Sequence, residues 1–447
     1  MALQVLLRVE REQVFADEAF DDAVRHGELS KEDQALAFEL VQGVLRHRGN
    51  LDWRLNTLSN RPLRSLPKVV AMILRLGAYQ ILHLDRVPES AAVNESVLMA
   101  KRVKGRDWSG VVNGVLRNLI RQPEPPLPDP SDDPVLALSI RYSCPTWLTE
   151  RWIDRLGYPQ AERVCQQTLG IPPLTLRANS LRCSRDQLMD RLHQDSYAST
   201  QTLVSPFGVV LEKCGTLSTL KVLQEGLCYV EDEAAQLVPL LLDVQAGHRV
   251  LDACAAPGGK STHLAELIGD QGEILAMDRS AKRLHLLQKN VDRLEITSIR
   301  PITADWADDL RSSRDLAPIL EPGFDRILLD VPCSGLGVLR RHPEAKWQKS
   351  GQQLLKHQEI QGKILSQASA YLRPGGVLVY SSCSAEPEET TQVISRFCFD
   401  HPEFQHERAV SFLPPEGQSL TNSEGDLLTL GSIYGMDGFF AARLRKV

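Results

Sequence analysis

Two cysteines stand at the ends of strand-like segments, where side chains capable of chemistry could meet. One segment, residues 324–330, ends at Asp330 just before Cys333, and another, residues 375–380, leads to Cys383. In an open α/β sheet, ligands bind outside the carboxyl ends of the strands, so we expect these three side chains to face one crevice. Two thiols there could form a redox pair, a metal site, or a nucleophile with a helper. A metal site is disfavoured, because no histidine or further cysteine has the spacing of a ligand.

A glycine-rich turn follows the strand-like run 249–253 and precedes a helix-like stretch. Its residues are Cys254, Ala255, Ala256, Pro257, Gly258, Gly259 and Lys260. Small residues let a ligand approach the backbone, and the following helix N-terminus favours negative charge. Asp278 ends the next strand-like run, twenty residues after Gly258, and an acidic residue at that distance suits hydrogen bonding to ribose hydroxyls. We therefore expect a ligand with an adenosine-like part.

Two other interpretations compete for this turn. Gly259, Lys260 and Ser261 match the second half of a P-loop, and Asp330 would then be the aspartate near magnesium. The match is incomplete, because Cys254 stands where the first P-loop glycine is required and Pro257 lacks the N–H that a phosphate cradle uses. The dinucleotide motif GxGxxG is absent from the turn, and a purely structural turn is the remaining alternative. Ligand binding is favoured over it.

A thiol, a carboxylate and an adenosine-bearing cofactor together suit one reaction. A thiolate can add to carbon-6 of cytosine and make carbon-5 nucleophilic enough to attack an electrophilic methyl group. S-adenosylmethionine supplies such a methyl group. This chemistry alone does not decide which of the two thiols is the nucleophile.

The elements that must position these residues change character along the chain. Apolar residues at helical spacing, as in 35–45 and 69–76, predict helices in the N-terminal region. Six prolines then fall within 123–134, too densely for a helix or a central strand. Strand-like runs alternate with helical stretches in the last part, which predicts a parallel sheet wound with helices. The predicted divisions are a helical domain over 1–122, a linker over 123–140, a middle α+β segment over 141–240 and an α/β domain over 241–447.

Charge is distributed unevenly over the 447 residues. The net charge is −6, yet residues 40–122 carry 14 basic and 5 acidic side chains. A basic block inside an acidic chain is typical of proteins that contact phosphate backbones. The residues that favour a nucleic acid partner are Lys101, Arg102, Lys104 and Arg106, with Arg46, Arg48, Arg61, Arg64 and Lys68.

Composition excludes several classes of protein. The chain is 43% hydrophobic and 24% charged, which argues against disordered and fibrous proteins. No apolar run approaches the roughly 18 residues of a membrane span, and the N-terminus lacks the basic region of a signal peptide. The nine cysteines are scattered without a regular framework, which is typical of reduced thiols. We therefore expect a cytoplasmic protein with no membrane partner.

Seven short motifs extend the interpretation to nearly the whole chain. Four lie in the C-terminal region, namely LDACAAPGGKSTHL, LLDVPCSGLGVLRRHPEAKW, YSSCSAEPEE and GMDGFFAARL. Three lie in the N-terminal region, namely LRLGAYQ, RVPESAAVNE and VVNGVLRN. The first group resembles the RNA 5-methylcytosine methyltransferases of the RsmB (Fmu/Sun) type, which act on 16S ribosomal RNA. The second group resembles the NusB-like RNA-binding domain of that family.

The resemblance implies a fold and an activity. The fold is α/β, with a Rossmann-like S-adenosylmethionine-dependent methyltransferase domain preceded by an all-α NusB-like domain and a small α+β segment. The activity is methyl transfer from S-adenosylmethionine to carbon-5 of a cytosine in small-subunit (16S) ribosomal RNA, through a covalent cysteine–base intermediate. A non-catalytic RNA-binding scaffold and a P-loop-like nucleotidase are the alternatives. The expected partner is ribosomal RNA, without a metal, and the expected form is a monomer.

The resemblance also implies residue roles. Cys383 would be the nucleophile on carbon-6, Cys333 would assist release of the enzyme, and Asp330 would hydrogen-bond the base near N3. Asp278 would hold the ribose of the cofactor and Asp305 would lie near the adenine amine. The full set for the cofactor is Cys254, Ala255, Ala256, Pro257, Gly258, Gly259, Lys260, Asp278, Asp305 and Asp330.

The motif LLDVPCSGLGVLRRHPEAKW contains Pro332 and Cys333 and is called here the proline–cysteine motif. Three of its positions carry further expectations. Val331 stands where the family has alanine and would add bulk at the base pocket. His342 and Lys346 follow Cys333 in this motif. They could contact RNA phosphates or lie in a solvated loop, and the sequence favours neither.

Overall fold

A computed structural model describes residues 1–447 except 28, 213, 215–216, 309, 311 and 431–433. The chain forms two units. The first comprises residues 1–171 and 339–350, and the second comprises residues 172–338 and 351–447. A segment that follows the Cys333 motif therefore belongs to the N-terminal unit.

The first unit is helical. Its core forms where apolar residues recur at helical spacing, as in Val70, Ile73 and Leu74, which are fully buried. The helices are α1 (Ala2–Glu12), α2 (Ala16–Arg25), α3 (Lys31–Leu58), α4 (Lys68–His83), α5 (Glu89–Lys101), α6 (Ser109–Arg121), α7 (Pro134–Arg141), α8 (Thr146–Leu156) and α9 (Tyr158–Gln167).

The proline-rich linker is shorter than the sequence predicts. Residues 123–133 contain neither helix nor strand, but α7 begins at Pro134, inside the predicted linker. Proline is tolerated at the first helical position because its missing N–H would have no partner within the helix. The carboxylate of Asp133 caps α7 by accepting a hydrogen bond from the Leu136 N–H at 2.8 Å.

The second unit begins with a small antiparallel sheet of strand order β2-β3-β1-β4. The strands are β1 (Leu174–Ala178), β2 (Ser199–Gln201), β3 (Gly208–Leu211) and β4 (Cys228–Val230). Leu188 and Leu192 of α10 (Arg185–Gln194) pack in the same apolar cluster as Leu176 and Val209 of this sheet. The structure thus separates α8 and α9 from a sheet that the sequence analysis places in the same middle segment.

A larger sheet carries the predicted site, in the order β7-β6-β5-β8-β9-β12-β10. Strands β5 to β9 are parallel along this path, whereas β12 runs antiparallel to both β9 and β10. The strands are β5 (Arg249–Asp252), β6 (Glu273–Asp278), β7 (Ile299–Thr303), β8 (Phe324–Asp330), β9 (Leu372–Ser382), β10 (Phe404–Glu407), β11 (Leu427–Leu428) and β12 (Phe440–Lys446).

Helices connect these strands. They are α11 (Lys221–Gln224), α12 (Glu233–Leu237), α13 (Gly259–Leu267), α14 (Ala281–Leu294), α15 (Ala317–Leu320), α16 (Ala345–Gln348), α17 (Gly351–Ser369) and α18 (Thr391–Asp400), of which α16 belongs to the first unit. Within the described residues, no helix has the length and apolarity needed to cross a bilayer.

Both faces of the large sheet are buried, and the direction in which the chain adds strands reverses at β5. Val250 and Ile274 belong to the apolar cluster on one face, and Leu251 and Leu275 belong to the cluster on the other. This alternation, within continuous apolar runs, is expected of parallel strands covered by helices. From β5 the chain adds β6 and β7 on one side, and then β8 and β9 on the other. Such a reversal opens a crevice at the carboxyl ends of the strands.

Candidate active site

The structure brings Cys333 and Cys383 together. β8 pairs with β9 in parallel, with Asp330 opposite Ser381, so that both strands end at the same edge. Cys333 lies three residues beyond β8 and Cys383 one residue beyond β9. Their sulfur atoms are 3.0 Å apart and both thiols are free. Across the described residues, no group of three histidine, cysteine, aspartate or glutamate side chains could hold a metal ion.

Asp330 pairs with Lys260 beside these thiols. The Lys260 Nζ donates to Asp330 Oδ2 at 2.8 Å, and the Ser381 hydroxyl donates to Asp330 Oδ1 at 2.9 Å. Burial disfavours the charge of Lys260, but the carboxylates of Asp330 and Glu231 outweigh it and raise the Lys260 pKa to about 12. The site therefore contains a permanent ammonium group next to a carboxylate.

The Cys383 thiol is held in its protonated form at rest. Its contact with the sulfur of Cys333, and then its burial, raise the pKa of Cys383 well above its ordinary value of 9.0. The ammonium of Lys260 acts in the opposite direction. A reaction at this sulfur must include loss of its proton, because the thiolate is the nucleophile.

The glycine-rich turn lies beyond the carboxyl ends of β5 and β6. The Ala256 N–H donates to Asp278 Oδ2 at 3.2 Å, which fixes the turn against the end of β6. Gly258 has a φ of 107°, and a Cβ there would lie 2.9 Å from Leu287 Cγ. A Cβ on Gly259 would lie 2.7 Å from Glu231 Oε1. Both glycines are thus required by the close packing of the turn.

The residues predicted for a cofactor lie at the ends of four adjacent strands. Cys254 to Lys260 follow β5, Asp278 ends β6, Asp305 follows β7 and Asp330 ends β8. The Ala304 N–H donates to the Asp278 carbonyl at 3.2 Å, which holds the residue before Asp305 against the end of β6. Asp278 Oδ1 accepts from the Ser280 N–H at 2.9 Å, and its oxygens keep lone pairs for ribose hydroxyls. This donor and acceptor set fits an adenosine-containing cofactor.

Arg177 is a residue that sequence reasoning missed. It lies in β1, is fully buried, and its guanidinium donates to the Gly259 carbonyl at 2.7 Å and to the Thr262 hydroxyl at 2.9 Å. It also pairs with the carboxylates of Glu231 and Glu266. The middle segment, in which the sequence showed no chemistry, therefore supports the glycine-rich turn. The only signal was an arginine within an apolar strand.

Lys346 lies in neither of the predicted environments. Its side chain is fully buried within the first unit, where its Nζ donates to the Ser143 carbonyl at 3.2 Å and the Thr168 hydroxyl at 3.1 Å. The His342 ring packs against Phe15, with 4.9 Å between their centroids. Both expectations for Lys346, a phosphate contact and a solvated loop, are wrong, because the segment 339–350 packs into the helical unit.

The predicted basic block is also only partly exposed. Arg46 is buried and donates to the Arg340 carbonyl at 3.1 Å, whereas Arg48 lies over the ring of Trp347 and pairs with Glu10. These two arginines stabilise the first unit and do not present free charge. The other seven basic residues singled out from the sequence are exposed, namely Arg61, Arg64, Lys68, Lys101, Arg102, Lys104 and Arg106.

Comparison with known families agrees with this architecture. Residues 239–445 match the family described as 16S rRNA methyltransferase RsmB/F. Residues 1–121 match the NusB family, and residues 144–217 match the ferredoxin-like domain of RsmF/B-like methyltransferases.

Individual relatives cover almost the whole chain. The probable ribosomal RNA small subunit methyltransferase B of Bacillus subtilis is 35% identical over 447 residues, which is 100% of this chain and 98% of the relative. Ribosomal RNA small subunit methyltransferase B of Shewanella oneidensis is 36% identical and covers 93% of this chain and 92% of its own length. The solved structure of PH0851 superposes with a TM-score of 0.79 at 23% identity, covering 100% of this chain and 97% of its own.

These similarities confirm two of the expectations from the sequence. The NusB-like domain and the α/β methyltransferase fold occur in the predicted order. The chain belongs to the 16S rRNA methyltransferase RsmB/F family, and its cofactor is S-adenosylmethionine.

Proposed function

We propose that this protein methylates carbon-5 of a cytosine in 16S ribosomal RNA through a covalent bond between Cys383 and the base. The observation that carries the proposal is the pair of thiols 3.0 Å apart at the ends of β8 and β9. A carboxylate and an ammonium stand beside them, in Asp330 and Lys260. A thiol pair with an adjacent charged pair suits nucleophilic catalysis on an electron-poor ring.

The first step is the attack of Cys383. Its sulfur loses its proton to solvent and forms a bond to carbon-6, and the electron pair of the carbon-5–carbon-6 double bond moves into the ring, which places negative charge on carbon-5 and N3. The Asp330 carboxylate hydrogen-bonds the base near N3 by accepting from the exocyclic amine. Negative charge develops at N3 itself, and the Lys260 ammonium, 2.8 Å from Asp330, offsets it.

The second step separates the enzyme from the product. S-adenosylmethionine, when bound, would supply the electrophilic methyl group that carbon-5 takes, and the electron pair of the broken S–CH3 bond would stay on the sulfur of the departing S-adenosylhomocysteine. Cys333 in its thiolate form then removes the proton from carbon-5, and the electron pair of that C–H bond re-forms the ring double bond. The bond between carbon-6 and Cys383 breaks, and its pair leaves with the sulfur. The adjacency of the two sulfurs supports this division of roles.

The cofactor is held, in this proposal, by the residues at the ends of β5, β6 and β7. The turn from Cys254 to Lys260 encloses it, Asp278 binds the ribose hydroxyls and Asp305 binds near the adenine amine. The RNA is held through exposed basic residues of the first unit. The base must leave its stack to be reached from both faces, so a single-stranded or extruded cytosine is the expected substrate. Ribosomal RNA as the substrate agrees with a cytoplasmic enzyme.

The direct test is methyl transfer from labelled S-adenosylmethionine to unmodified 16S rRNA. The labelled RNA is digested to nucleosides, and wild type is compared with Cys383→Ala. We expect 5-methylcytidine from wild type and none from Cys383→Ala. Cys398→Ala is a matched control, since this thiol lies in α18 outside the pair, and should retain activity. Product from Cys383→Ala would contradict the assigned nucleophile, and a different labelled nucleoside would contradict the proposed reaction.

A further inference from the structure

Buried hydrogen bonds hold the peptide groups on both sides of Cys333. The Gln361 side-chain amide donates to the carbonyl of Pro332 at 3.0 Å. The carboxylate of Glu389 accepts from the N–H of Ser334 at 2.7 Å and from the Ser334 hydroxyl. Because these groups flank Cys333 directly, they fix the direction of its Cα–Cβ bond. The position of the sulfur is then set by one side-chain torsion.

One tyrosine joins these two anchors to the strand that leads to Cys383. The Tyr380 hydroxyl donates to the Glu389 carbonyl at 2.7 Å and lies 3.1 Å from Gln361 Oε1. Tyr380 stands three residues before Cys383 in β9. Gln361, Tyr380 and Glu389 are all fully buried, where hydrogen bonds are stronger and less easily replaced by water.

We propose that Gln361 and Glu389 are positioning residues that hold Cys333 for the release step. The inference rests on the proposed function, in which Cys333 removes the carbon-5 proton. Neither side chain is placed against the base or the cofactor, so each acts through the peptide that it anchors. The buried carboxylate of Glu389 depends on its hydrogen bonds to Ser334, because burying a charged group without such partners costs free energy.

This role predicts a distinctive failure. If Cys333 is displaced while Cys383 is not, the thiolate still attacks and the methyl group is still transferred, but the enzyme stays attached to the RNA. Gln361→Glu puts a carboxylate oxygen against the Pro332 carbonyl. Glu389→Met removes the acceptors of both the N–H and the hydroxyl of Ser334. Both changes nearly keep the side-chain volume.

The experiment measures covalent complex and turnover together. Each enzyme is incubated with S-adenosylmethionine and unmodified 16S rRNA, and the protein–RNA complex is resolved on a denaturing gel. We expect both variants to accumulate more complex than wild type, as Cys333→Ala should. We expect kcat to fall by about 10- to 100-fold, the size of effect that a misplacement of about 1 Å produces, with KM for S-adenosylmethionine nearly unchanged. Loss of folding would lower the complex instead of raising it.

The matched control is Gln358→Glu. Gln358 lies one turn before Gln361 on α17, is partly exposed, and contacts Gln392 at 3.1 Å. The same chemical change at this position should leave both the amount of covalent complex and kcat at the wild-type level.

Two results would overturn the proposal in different ways. Complex at or below the wild-type level in Gln361→Glu and Glu389→Met, with accumulation in Cys333→Ala, would overturn the positioning role alone. No accumulation in Cys333→Ala would overturn the role of Cys333 in the proposed function and this inference with it. If either variant folds poorly, Tyr380→Phe decides, because it removes only the hydroxyl that joins the anchors. Tyr380→Phe should raise the amount of covalent protein–RNA complex, and an amount equal to that of wild type would contradict the inference.

Discussion

The proton on Cys383 determines how the proposed reaction depends on pH. Its contact with Cys333 and its burial raise its pKa well above 9.0, so the reactive thiolate is a small fraction near neutral pH. Below the pKa this fraction grows about tenfold for each pH unit. We expect the single-turnover rate of methyl transfer to rise with that slope from pH 6 to pH 8.

A rapid-quench experiment with saturating labelled S-adenosylmethionine measures this rate. Cofactor binding and thermal stability measured at each pH are the controls for effects on the rest of the protein. A rate that stays flat over the range would show that attack by Cys383 does not control it.

At the scale of single residues, the sequence predicted where the candidate side chains lie better than it predicted the surroundings of other residues. Cys333, Cys383 and Asp330 could be placed because each lies at or just after the end of a recognisable apolar strand. Lys346 could not, because its acceptors on Ser143 and Thr168 are far away in the chain. No local pattern distinguishes a lysine with buried partners from a lysine in solvent.

At the scale of elements, β1 and α13 depend on each other through Arg177. Its guanidinium pairs with two buried carboxylates and holds the Gly259 carbonyl at the start of α13. We expect Arg177→Met to destabilise the protein by about 3–5 kcal/mol, because it removes the positive charge that pairs with the buried Glu231 and Glu266. We also expect weaker binding of S-adenosylmethionine, since the turn loses its anchor.

Denaturant unfolding and cofactor titration measure the two effects. The control is Arg182→Met, since Arg182 is partly exposed and pairs with Glu295, which is 70% exposed. Surface pairs of this kind contribute about 0–1 kcal/mol. Equal stability of the Arg177 and Arg182 variants would contradict the argument.

At this scale, the structure also shows which ends of helices and strands the sequence could predict. β8 has the predicted limits, since a continuous apolar run bounded by turn residues has few alternatives. The sequence does not predict the start of α7 at Pro134, because the density of prolines in 123–134 argues against a helix. A proline at the first helical position has no such effect when Asp133 provides the cap.

At the scale of the whole molecule, RNA binding should depend on the exposed part of the basic block. Lys101, Arg102, Lys104 and Arg106 lie together around the end of α5 and are exposed. Replacing all four with glutamine should weaken RNA binding and make its salt dependence shallower, because each phosphate contact releases counterions. The slope of log affinity against log salt should fall by up to about 0.7–0.9 for each lost contact.

Filter binding of 16S rRNA fragments at several salt concentrations measures the slope. Replacing Lys356 and Lys363, which are exposed on α17, with glutamine is the control for a general loss of positive charge. A slope unchanged by the four substitutions would contradict the assigned RNA-binding surface.

The segment 339–350 has a consequence for the order in which the protein can be completed during synthesis. Its buried Lys346 and partly buried Trp347 supply hydrogen bonds to Ser143, Thr168 and the Leu45 carbonyl. A ribosome makes this segment only after β5 to β8 have been translated. Until then, these acceptors in the first unit are hydrogen-bonded only to water. A fragment cut at residue 171 would lack the segment permanently, so the first unit is not a module that can be excised after α9.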